Sequence, residues 1–156
     1  MPARLEVRIQ GADFDAAAET ARLTDGLADV GAIVTFTGVC RADGDRLAAL
    51  ELEHYPGMAE AEIRRICSEA ASRWPVLALS AIHRVGVIEP GENIVLVAAA
   101  SAHRQPAFDA AGFVMDFLKS RAPFWKKEHL ADGAVGNWVD AKESDEAALT
   151  RWSLPD

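Results

Sequence analysis

Apolar residues along this chain recur with two different periods, and the switches between them mark out its elements. Near the start, Leu5, Val7 and Ile9 alternate with charged or polar residues, which predicts a half-buried strand. An alanine-rich stretch follows, capped by Asp13 or Asp15 and predicted helical to about Ala28. Ala32 to Val39 (AIVTFTGV) is β-branched and aromatic, so it predicts a central strand closed by Gly38. Arg41 to Asp45 (RADGD) is turn-forming, and the strand beyond it sets Leu50 and Leu52 on one face, so the pair reads as a hairpin. After the turn His54-Tyr55-Pro56-Gly57, the residues Ile63, Ile66, Cys67, Ala70 and Trp74 recur at helical spacing until Trp74-Pro75 stops them. Leu79 to Val87 and Asn93 to Ala100 read as two further strands joined at Glu89-Pro90-Gly91-Glu92.

The stretch from Ser101 to Glu128 carries the most information. Gln105 or a neighbour caps a long helix, Pro106 suits its first position, and Phe108, Ala111, Met115 and Leu118 form an apolar stripe. Ala122-Pro123 ends it, because the residue before proline is pushed out of the α region. His103 and Arg104 stand before the first turn, Lys119 in the last, and Lys126 and Lys127 just beyond. A continuous helix would hold His103 and Lys119, 16 residues apart, roughly 24 Å from one another. One small anion cannot touch both ends. Either the two clusters serve different sites, or they meet across a subunit interface about a two-fold axis, and the second is the working expectation. A polar loop around Asp132-Gly133, a short strand at Trp138-Val139 and a final helix from Ser144 to about Trp152 complete the reading. Hairpins interrupted by helical excursions, with no repeats or linkers, predict one α+β domain over residues 1–156.

Composition adds little to the fold and something to the function. Half the residues are hydrophobic and 26% charged, as in ordinary globular proteins, and no run approaches a bilayer span. The start (MPARLEVRIQ) lacks the apolar core of a signal peptide, so the cytoplasm is the default expectation. A net charge of -8 argues against a nucleic-acid or membrane binder. Against that acidic background, Arg41, His103, Arg104, Lys119, Lys126 and Lys127 suggest a focused anion site, the alternative being solvated surface charge.

Lys119 and Lys126 frame Pro123-Phe124-Trp125, an apolar rim that would exclude water. Neighbouring cations disfavour a charged lysine and move it toward proton-transfer chemistry; the plainer alternative is complementation of the helix dipole. Cys40 beside Arg41 is a candidate thiolate nucleophile, but no base is assignable near it, and Cys67 lies on a helix's apolar stripe. His54 and His83 lie in or next to strands, where satisfied structural histidines are commoner than ligands. Neither metal-ligand spacing nor a nucleotide-binding glycine motif occurs, so no metal or cofactor is expected. The residues alone therefore support an α+β enzyme or binding protein for a small anion, as a dimer.

Several stretches go further: Val34-Thr35-Phe36-Thr37-Gly38 with Arg41, Leu52-Glu53-His54-Tyr55-Pro56-Gly57-Met58, Ile82-His83-Arg84-Val85-Gly86, Ser101-Ala102-His103-Arg104, Met115-Asp116-Phe117-Leu118-Lys119, Ala122-Pro123-Phe124-Trp125-Lys126-Lys127-Glu128 and Trp138-Val139-Asp140-Ala141. In these, spread in order over nearly its whole length, the chain closely resembles the large, catalytic subunit of molybdopterin synthase. The resemblance implies an α/β hammerhead fold with an added antiparallel β subdomain. It implies a sulfurtransferase that converts cyclic pyranopterin monophosphate into molybdopterin, in molybdenum cofactor biosynthesis. The sulfur donor would be the thiocarboxylated Gly-Gly C-terminus of a small ubiquitin-like subunit, in a heterotetramer built on a homodimer of large subunits. By position, Lys119 would be the catalytic lysine and Lys126 its companion. Arg41, His103 and Arg104 would hold substrate phosphate and pterin, with Lys127, Glu128 and Lys142 also at the substrate. Two positions depart from the family's habit: Val39 where a basic residue is frequent, and Lys142 where arginine is frequent, which removes a cation and a bidentate fork.

Overall fold

The computed structural model describes residues 2–139 and 148–152. Its first sheet contains β1 (Arg4–Gln10), β2 (Ala32–Val39), β4 (Val76–Arg84) and β6 (Asn93–Ser101), in the order β1-β4-β6-β2. β1 runs parallel to β4, and the other neighbours are antiparallel. β4 and β6 are the inner strands, buried on both faces, which is why IVLVAAAS reads as a continuous apolar run. On one face Val95, Val97 and Ala99 of β6 meet the helices α2 (Met58–Arg73) and α3 (Arg104–Arg121) in the main core. On the other, Ala98 and Ala100 meet Leu23 of α1 (Ala16–Thr24). Asp15 caps α1 by accepting from the amides of Ala17 and Ala18; the helix stops at Thr24, short of Ala28.

A second, smaller sheet has the order β5-β3-β7, all antiparallel, from β3 (Leu47–His54), β5 (Gly86–Ile88) and β7 (Phe124–Leu130). Leu47, Leu52, Ile88 and Cys40 form its core. The chain leaves the first sheet at Arg84 and turns through Gly86, whose φ of 93° glycine accepts without strain. It gives three residues to the second sheet and returns at Asn93, so the predicted strand from Leu79 to Val87 is divided between sheets.

Three expectations are corrected here. β2 is an edge strand, not a central one: Ile33, Phe36 and Val39 are 44%, 43% and 47% exposed, because strand propensity does not distinguish an edge from a centre. β2 and β3 form no hairpin but lie in different sheets. The end of β2 is held on the turn before β6 by Cys40 N–H to Glu92 O and Gly91 N–H to Cys40 O. Asp43, Gly44 and Asp45, all at positive φ, then swing the chain across. β7, finally, carries no strand signal in the sequence, since FWKKEHL is half-buried at every position and shows no alternation. Only its pairing with β3 makes it one.

In α3 the N-cap is His103, and Pro106 falls at the third position, where the N–H would still lack a helical partner. The buried face begins at Ala107 and continues through Ala110, Phe113, Val114 and Leu118, whereas Phe108 is 56% exposed. The last described segment, Ala148–Trp152, is a 3-10 helix whose Trp152 packs against Trp74 and Phe113 and donates to Asp116. Ser144 and Lys142 lie outside the described residues. Among the described residues no helix is long and apolar enough to cross a membrane.

Candidate active site

Where the two sheets meet, they leave a cavity of about 420 Å³. The end of β2, the start of β6 and the last turns of α3 form one wall; Leu50 and Leu52 of β3 and the start of β7 form the other. Lys119 and Lys126 both line it, one from each side. The break at Ala122-Pro123 makes this possible: Phe124 N–H turns back onto Ala122 O (2.8 Å), and the chain enters β7 within one turn of leaving the helix. Lys126 is fixed further by a two-way backbone pair with Val139, another lining residue, at 3.0 and 2.8 Å. No acidic side chain is among the described lining residues. Two lysine side chains converging over largely apolar walls make a place for an anion.

The other expected site residues lie elsewhere in the single chain. His103 and Arg104 form a separate recess with Gly31, Ala32, Ala102 and Gln105, at the opposite end of α3 from Lys119. Arg41 is exposed on the loop after β2, two residues beyond Val39, which lines the cavity. Lys127 Nζ sits 4.3 Å over the Trp138 ring, and Glu128 accepts from Arg46 Nη2 at 2.9 Å; neither lines the cavity. Lys142 is outside the described residues.

The cysteines offer no nucleophile. Cys40 is 3% exposed, its Sγ lies 3.7 Å from Ile88 O, and burial pushes its thiol pKa up. Burial likewise raises that of Cys67, to about 12. A group this far from ionising holds almost no thiolate at neutral pH.

His83, set aside in the sequence as structural, is a lining residue. Its one signal was a histidine at the end of the otherwise apolar VLALSAI of β4. The ring is buried, with Nδ1 2.8 Å from Arg84 O; a carbonyl only accepts, so Nδ1 carries the proton. Burial, with the charges of His54 and Lys119, pulls its pKa down to about 4, although the hydrogen bond to Arg84 O opposes this. His83 is therefore neutral at pH 7. The unfolded chain takes up this proton near pH 6.5, so from there down to about 4 it binds more protons than the native state, and stability falls as pH falls. By pH 4 the loss reaches about 3 kcal/mol. Unfolding measured from pH 7 to 4 should show His83→Phe losing less stability than the parent by about that amount.

Comparison with known proteins places the chain. Residues 9–121 match the family model described as MoaE protein. The chain is 68% identical over 146 residues to the molybdopterin synthase catalytic subunit of Mesorhizobium japonicum, covering 94% of this chain and 92% of that one. Among solved structures, the molybdopterin biosynthesis MoaE protein from Burkholderia ambifaria MC40-6 superposes with a TM-score of 0.84 at 47% identity, covering 97% of this chain and 99% of that one. A complex of subunits 1 and 2 of molybdopterin-converting factor from Helicobacter pylori 26695 shares the fold, with a TM-score of 0.68 at 19% identity and coverage of 89% and 90%. The chain belongs to the MoaE family, that of the molybdopterin synthase catalytic subunits.

Proposed function

We propose that the cavity between the sheets is where sulfur passes from the thiocarboxylated Gly-Gly C-terminus of a small ubiquitin-like subunit to cyclic pyranopterin monophosphate, giving molybdopterin. The observation that carries this reading is the convergence of Lys119 and Lys126 in one largely apolar cavity between the sheets. Both reactants are anions, and two ammonium groups hold them together against their mutual repulsion. Lys119 stabilises charge on the attacked acyl group and donates a proton to the leaving oxygen of the substrate; Lys126 assists. Two such transfers are needed for the dithiolene: in each, one sulfur leaves a partner's acyl carbon for a substrate carbon, water oxygen takes its place, and that partner ends as a carboxylate. The complex from Helicobacter pylori supports a small-subunit partner.

The chain acts as one domain, an α/β hammerhead with the β5-β3-β7 sheet as its added subdomain, in a cytoplasmic heterotetramer built on a homodimer. His103 and Arg104 bind substrate from the second copy, with Arg41, Lys127, Glu128 and Lys142 completing the substrate site. What supports a shared site is the edge strand β2, which runs from the His103–Arg104 recess at Ala32 to the lysine cavity at Val39. Its exposed Ile33, Phe36 and Val39 are the kind of apolar edge that proteins cover. A second copy lying antiparallel along this edge about a two-fold axis sets one chain's recess beside the other's cavity. Purified protein with thiocarboxylated partner should convert the pterin precursor into molybdopterin; a partner-bound complex that forms no product contradicts the reading.

A further inference from the structure

Lys119 and Lys126 belong to different layers of the molecule. Lys119 stands on α3, packed on the first sheet, whereas Lys126 stands on β7 in the second. Their spacing is therefore fixed only as well as the two sheets are fixed to each other beside the cavity. At that joint two histidine rings meet one phenylalanine. His83 of β4 stacks on Phe124 of β7 with centroids 4.0 Å apart and planes at 18°. On the same Phe124, His54 of β3 stacks at 6.3 Å and 28°. Phe124 is the cross-strand partner of His54 and stands two residues before Lys126.

We propose that this His54–Phe124–His83 stack is a positioning element, which locks the second sheet onto the first and so sets Lys126 at its working distance from Lys119. The first-sheet end is anchored. The His83 ring cannot turn without breaking its bond to Arg84 O, and the Arg84 guanidinium is itself tied to Gly11 O at 3.0 Å and Asn93 O at 2.9 Å. At the other end, the His54 ring is mostly buried beside the Glu53 carboxylate, with Nδ1 3.5 Å from Oε1. Face-to-face ring contact fixes both distance and tilt, which an aliphatic contact does not. His83, the histidine of the stack that lines the cavity, brings no charge to it, since it is neutral at pH 7.

The inference rests on the proposed roles of the lysine pair, and it separates the ring of His83 from its hydrogen bond. In His83→Asn the amide keeps a donor for Arg84 O but the ring is gone; in His83→Phe the ring remains and the donor is gone. With saturating thiocarboxylated partner, His83→Asn should lose about tenfold or more in kcat, because an ångström of misplacement is enough, with KM for the pterin within about threefold. His83→Phe should keep at least about a third of the parental kcat. Parental kcat in His83→Asn, or equal losses in both variants, overturns the proposal; the second pattern, with rescue in His83→Gln, would instead give Nε2 a direct role. If neither variant folds, Phe124→Leu at the half-buried centre decides: reduced kcat at unchanged KM supports the stack, and parental kcat sinks it. Lys119→Ala is measured in parallel. If it turns over normally the lysine reading fails, whereas a dead Lys119→Ala beside normal stack variants removes this inference alone.

Discussion

Replacing Lys119 by alanine is expected to lower kcat by at least about a hundredfold while the small subunit still binds within a few-fold of its parental affinity. Lys119 is one of only two lysines among the described lining residues of the cavity, so its removal takes away the group proposed to stabilise the attacked acyl carbon. A folded partner buries far more surface than one lysine side chain covers, so its binding should survive. A protein that merely held the partner's tail would behave differently: it would have no turnover to lose, and the substitution would act on affinity alone. Cys40→Ala belongs in the same experiment. Its thiol is buried against Ile88 and driven away from ionisation, so turnover per folded molecule should be unchanged, whereas a thiol-based transfer predicts its loss.

The second large effect is expected at a residue with no side chain. A Cβ at Gly31 would lie 2.2 Å from Ala102 O, a backbone atom that cannot rotate away. Gly31 N–H already donates to Ser101 O at 2.9 Å, and the hydroxyl of the fully buried Ser101 donates to His103 O. Gly31→Ala must therefore push the turn that leads into α3 and carries His103 and Arg104. Overpacking of this kind costs about 1–3 kcal/mol, which lowers Tm by roughly 2–12 °C in a domain of this size. Because the displaced turn is the proposed substrate-holding half, KM for the pterin should rise at least about fivefold in the folded fraction, with kcat changed less. Thermal unfolding and steady-state kinetics on one preparation check both; a parental Tm and KM would mean that the turn tolerates the shift.

How much of this was visible in the sequence depended on whether the deciding contact was local. The helix that ends at Ala122-Pro123, with a lysine before the break and another after, is a local pattern, and it brings Lys119 and Lys126 to one cavity. Strand β7 was not legible. Its residues are half-buried throughout, and it exists through pairing with β3, 70 to 83 positions earlier. The same distance hid the partner of Glu128, since Arg46 lies 82 residues away. β2 was read as a strand correctly and as central wrongly, because β-branched residues fit an edge as well as an interior. His83 carries little local sign of a site, and only the fold shows that its strand ends at the cavity wall.

The central claim is that each site draws its lysines from one copy and His103 with Arg104 from the other, because one 18-residue helix holds them at its opposite ends. Mixed dimers test it directly. Chains carrying Lys119→Ala are paired, through distinct affinity tags, with chains carrying His103→Ala and Arg104→Ala, and the purified mixed dimer is assayed with saturating thiocarboxylated partner. Each homodimer alone should be inactive. If sites are shared, one of the two in the mixed dimer has every group intact, and activity should return to about half the parental value. If each chain holds a whole site of its own, both sites stay broken, and a mixed dimer as inactive as its parents contradicts the account.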